Sequence, residues 1–136
     1  MTTQPSSLER TLRAALVPAM RAKDTVAVAA LRSALAAIAN AEAVDPSVAE
    51  VGVRAAGSSE HVAGALVGLG AAEVARRQLS DDDVRRIVVD EVTSREVDAD
   101  TLERHGATER ASTLRAEAEV LSAVLRHVPV VPDRAT

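Results

Sequence analysis

The sequence predicts an all-α protein: an antiparallel, up-and-down helical bundle of four main helices, with a loop-rich insertion between two helix pairs. Three observations carry that prediction. Residues 79–128 place apolar side chains at spacings of three and four, broken once around Gly106. Residues 6–43 do the same, with a second helix start at Asp24. Apolar residues make up 47% of the chain while Phe, Tyr and Trp are all absent, so Leu, Val, Ile and Ala must form the core and helices must approach closely. With 136 residues, the length fits a single domain, 1–136, read as helix pair 6–43, insertion 45–78 and helix pair 80–128.

Met1 to Pro5 reads as a tail. Ser6 stands three residues before Glu9, the spacing of a capping box, and Leu8, Leu12, Leu16 and Ala19 line one face of a first helix. Pro18 removes an intrahelical hydrogen bond and clashes with the preceding turn, which predicts a kink or an early end near Val17, with Met20 on a following turn. Asp24 caps a second helix from Thr25 to about Ala43. Val28, Leu31, Leu35 and Ile38 form its apolar edge, and Ala27, Ala30, Ala34, Ala37 and Ala41 are small enough to admit a neighbour. Asp45-Pro46 ends it.

Residues 45–60 hold one proline, two glycines and three serines without a period, and read as loop. Glu60 to Ala75 is apolar in part, but Gly64, Gly68 and Gly70 each weaken a helix by roughly 1 kcal/mol relative to Ala, so loop with a short helical turn is expected. Ser80 then opens a third helix, with Asp81, Asp82 and Asp83 in the first turn where the dipole favours negative charge. Val84, Ile87, Val88, Val92, Ala99 and Leu102 form its stripe. Gly106 can take the left-handed conformation that ends a helix, and Ala111, Leu114, Ala118, Leu121 and Leu125 line the fourth. Two such helices joined by a short turn bury their stripes by folding back antiparallel.

Composition excludes several functions. Without aromatic rings there is no platform for stacking unpaired bases, and without cysteine there is no disulfide or thiolate chemistry. The net charge of −4 argues against a generic nucleic-acid binder. Its distribution qualifies this: residues 1–43 carry five basic groups against three acidic, while residues 79–128 carry seven against twelve. No apolar leader is visible at the amino end, and the longest apolar run, Val62 to Leu69 with its glycines, reads as far short of a membrane span, so a cytoplasmic protein without membrane contact is expected.

Gly64, Gly68 and Gly70 match neither common phosphate-binding order, and fit close helix packing better. His61, His105 and His127 lack metal-ligand spacing; the latter two fall near helix C-termini, where the dipole favours positive charge. No serine stands on a glycine elbow with matching histidine and acid, so no catalytic residue, metal or cofactor is assigned. Arg95, Arg104, Arg110 and Arg115 flank the second turn and are expected to pair with Glu91, Glu96, Glu103 and Glu109 on a wet surface, each pair contributing about 0–1 kcal/mol.

The order of signals resembles a known family. Pro18-Ala19-Met20-Arg21-Ala22-Lys23-Asp24, followed by Leu31-Arg32-Ser33-Ala34 and Ile38-x-Asn40-x-Glu42, resembles the first helical pair of the GatB/YqeY family. Leu79-Ser80-Asp81, the Ile87 to Arg95 helix, Gly106-x-x-x-Arg110, Leu114-x-x-Glu117 and Val120-Leu121 running to Pro129 are similar to its second pair. The resemblance implies a relative of the carboxy-terminal part of the GatB subunit of the amidotransferase that corrects mischarged tRNA, where such helices help hold tRNA and the chemistry belongs to other domains. Two departures bear on tRNA binding. The extra helical module that usually follows the final proline is not expected before Thr136, and the family's Lys-Gln-Arg is here Thr93-Ser94-Arg95.

The resulting expectation is a non-catalytic accessory module, for which carbon–nitrogen ligase with glutamine as amido donor is an inherited family label. Arg13, Arg21, Lys23 and Arg32 are the candidate contacts to tRNA, or to an amidotransferase or a tRNA-charging enzyme. One alternative is a protein–protein scaffold docking through the alanine-rich second helix or Gly64 to Gly70, with a homo-oligomer among its forms. A stand-alone enzyme is the other.

Overall fold

The computed structural model describes residues 5–43 and 78–129, and these form four α-helices with no strand among them. They are α1 (Ser7–Arg21), α2 (Thr25–Ala43), α3 (Asp81–Arg104) and α4 (Thr108–His127). Contacts divide the chain into two compact units, Met1–Ala37 with Ser80–Thr136, and Ile38–Leu79. The description below concerns the first. The readings of residues 45–75 as loop with a helical turn, and of Gly64, Gly68, Gly70 and His61, lie outside the described residues.

α1 starts where Ser6 accepts the Glu9 amide at 3.0 Å. The Glu9 carboxylate lies 3.4 Å from Arg13 Nη2 and the residue is buried at 6% exposure. Of the two outcomes expected at Pro18, a kink or an early end, the early end does not occur: α1 runs through it to Arg21, and Met20 belongs to its last turn and not to a following one. The carbonyl that Pro18 cannot serve is that of Ala14, an exposed residue, where water can replace the missing donor. Leu8 and Leu12 are buried, with Leu16 and Ala19 half-buried behind them.

The turn into α2 closes with two bonds, Lys23 N–H to Met20 C=O at 3.1 Å and Asp24 N–H to Ala19 C=O at 3.0 Å. This is a Schellman arrangement, and it holds Lys23 at φ +56°, the left-handed region. Asp24 then accepts the Ala27 amide on Oδ1 at 3.1 Å and so caps α2. Ala27, Ala30, Leu31, Ala34 and Ile38 are buried at helical spacing. By length and composition α2 is apolar enough to cross a membrane, with a mean hydropathy of 1.4, and so exceeds the Val62 to Leu69 run in that respect. Core helices share this property, and here four of its buried residues belong to the first unit while Ser33 Oγ donates to Glu91 Oε1 on α3 at 2.7 Å.

α3 opens on a complete capping box: Ser80 Oγ accepts the Asp83 amide at 3.0 Å and Asp83 Oδ2 accepts the Ser80 amide at 3.1 Å. Its core stripe is Val84, Val88, Val92 and Ala99, and that of α4 is Ala111, Ala118, Leu121 and Val124. Ion pairs between Arg95 and Glu117 and between Arg115 and both Asp100 and Glu103 fix the pair as antiparallel. The buried positions near the turn are small (Ala99, Ala111), and those towards the open end are larger (Val84, Val88, Leu121, Val124). That turn repeats the first: Gly106 N–H donates to Glu103 C=O at 3.0 Å and Ala107 N–H to Leu102 C=O at 2.8 Å, with Gly106 at φ +83°. At the open end Arg85 donates to the carbonyls of Val128 (2.8 Å) and Leu125 (3.1 Å), tying the start of α3 to the end of α4.

Candidate nucleic-acid interface

The four candidate cations lie on the first hairpin, and all four are exposed. Arg21 is the last residue of α1, where the helix dipole favours a cation, and Lys23 projects from the left-handed turn position. Arg32 on α2 reaches back across the turn, its Nη2 3.9 Å from Met20 Sδ. These three therefore gather at one end of the hairpin. Arg13 stands about two turns away, on the α1 face that Met20 shares at a spacing of seven.

The nearby carboxylates are engaged. Glu9 is buried and holds one arm of Arg13, and Asp24 spends an oxygen on the α2 cap. Sequence reasoning missed two apolar members of the surface, Val17 (49% exposed) and Met20 (48%), which lie between the cations. Their spacing from Arg13, four and seven residues, was the signal that would have placed them there.

The arginines of the second pair depart from the expected pairing: Arg104 donates to Thr101 Oγ1 at 3.2 Å, and Arg95 is not on a wet surface. Arg95 is enclosed, its side chain 12% exposed, with Glu91 at 25% and Glu117 at 14%. Its Nη1 donates to Glu91 Oε1 (3.0 Å) and its Nε to Glu117 Oε1 (3.1 Å). The position falls between Val92 and Ala99 on the buried stripe, which is why its guanidinium turns inward. Arg115 behaves as expected: it is exposed and binds Asp100 and Glu103, hydrogen bonds that raise its pKa above the usual arginine value.

A cleft of about 400 Å³ lies along α4, lined by Leu102, Glu109, Arg110, Thr113, Leu114 and Glu117. Its hydroxyl and one of its carboxylates have structural partners, since Thr113 Oγ1 donates to Glu109 C=O at 3.1 Å and Glu117 is held by Arg95. Among the described residues no group of three His, Asp or Glu side chains is placed to hold a metal ion. No family model, no curated protein and no solved structure matches this chain.

Proposed function

We infer that the chain is a non-catalytic helical binding module of the GatB/YqeY type, working in the cytosol and contacting tRNA through the first hairpin. One observation supports this above the others: in a chain of net charge −4, Arg21, Lys23 and Arg32 are exposed together, and the neighbouring carboxylate, Asp24, spends one oxygen on the α2 cap. Phosphate contacts need exposed cations on a fixed scaffold and no aromatic residues. The carbon–nitrogen ligase label would then describe the assembly such a module serves. Thr93-Ser94-Arg95 adds no cation to the interface, because Arg95 is held by two glutamates.

The test is tRNA retention by the purified chain across a salt series. Four phosphate contacts give a slope of roughly −3 to −4 in log affinity against log salt, and each of Arg13→Ala, Arg21→Ala, Lys23→Ala and Arg32→Ala reduces it by about one. Undetectable binding at low salt overturns the reading. Exposed Val17 and Met20 favour a second one, in which an amidotransferase or a tRNA-charging enzyme docks on the same surface. Binding of such a protein that Met20→Glu abolishes, with no tRNA retained, would support it.

A further inference from the structure

The outer face of α3 carries a pattern that no contact among the described residues explains. Val89 (42% exposed) and Val97 (57%) flank exposed Thr93, and exposed charges continue the row in both directions. At about 100° per residue, the positions 82, 86, 89, 93, 97, 100 and 104 stay within about 40° of one line, over about 33 Å. The row is self-complementary about its centre. Set antiparallel against a copy of itself, Asp82 meets Arg104, Arg86 meets Asp100, Val89 meets Val97, and Thr93 meets Thr93.

The geometry points to this face as a two-fold interface with a second copy of the chain. Opposite charges coincide at four places and apolar side chains at two, as an isologous contact requires. The present partners of these charges are surface pairs that can exchange. Arg86 lies 3.8 Å from Asp83 and is 72% exposed, and Asp100, 66% exposed, shares Arg115 with Glu103. Asp90 and Glu96 lie outside the row, and each is offset from its own copy by six residues, about 9 Å along the axis, so neither meets it at close range. One helix pair buries an area at the low end of specific interfaces, which makes the dimer weak and sensitive to salt. None of the row belongs to the basic surface of the first hairpin, so the two readings stand or fall separately.

Sedimentation equilibrium of the full chain tests this. The expected result is a monomer–dimer equilibrium between roughly 10 μM and 1 mM, shifted to monomer by added salt. The variant R86D/R104D makes the row wholly acidic and D82R/D100R makes it wholly basic. Each alone weakens dimerisation by about tenfold or more, and an equal mixture restores it. Because the chain has no cysteine, Thr93→Cys gives an independent readout: mild oxidation links two copies at the axis, whereas Thr108→Cys, also exposed, does not link. A chain that stays monomeric throughout, single-sign variants that dimerise as the parent does, or a mixture that fails to associate would each overturn the proposal.

Discussion

Arg95 Nε donates to Glu117 Oε1 across the α3–α4 hairpin at 3.1 Å, from a position on the stripe where the neighbouring residues are Val92 and Ala99. The same guanidinium holds Glu91, and Glu91 takes the hydroxyl of Ser33, so one cation links three helices. Removing it leaves two half-enclosed carboxylates without their cation. Arg95→Ala is expected to cost about 2–3 kcal/mol, below the range for fully buried pairs because some solvent reaches the site. Arg95→Met combined with Glu91→Met and Glu117→Met recovers most of that loss. Urea unfolding followed by far-ultraviolet circular dichroism measures both, the chain having no tryptophan or tyrosine to report by fluorescence.

The two turns share one hydrogen-bond pattern but differ in the residue at the left-handed position, Lys23 in one and Gly106 in the other. Lys23→Gly is expected to stabilise the chain by roughly 1 kcal/mol, and Gly106→Ala to destabilise it by a similar amount. A Cβ at Gly106 would meet nothing within 4 Å, so that loss reads the backbone alone. If Lys23 contacts tRNA, Lys23→Gly also lowers tRNA affinity, moving stability and binding in opposite directions.

Arg85 is expected to hold the last turn of α4 through its two carbonyl contacts. Arg85→Ala should cost about 1–2 kcal/mol and speed amide exchange at Val128. Arg85→Lys should recover only part, since an ammonium lacks the planar fork that reaches two carbonyls at once.

Near Gly106 the buried positions Ala99 and Ala111 are fully enclosed. Ala111→Leu is expected to lower stability by about 1–3 kcal/mol, as would Ala99→Leu, both read from denaturant midpoints. The same exchange at exposed Ala123 should change little.

Much of this fold was legible because its signals are local. Ser6, Asp24 and Ser80 cap where their spacing to the next apolar residues says they should, and Gly106 ends α3 as a glycine at that point can. Pro18 misled because its cost depends on whether Ala14 is wet, which periodicity does not reveal. Arg95 misled for the converse reason. An arginine reads as surface until one sees that Glu91 and Glu117 accompany it inward from two helices. In the candidate site the charges of Arg21, Lys23 and Arg32 were plain, but their gathering at one end depends on the α1–α2 turn, and the left-handed Lys23 leaves no mark in composition.

Asp24 serves at once as the last residue of one Schellman turn and the first cap of the next helix, so nothing between α1 and α2 can absorb slack. A single residue inserted there would swing Ala27, Ala30, Leu31 and Ala34 about 100° around the axis, enough to turn the stripe away from its neighbours. The first hairpin is geared: phase as well as length is set at that joint, and a change that leaves every helix intact can still disengage them.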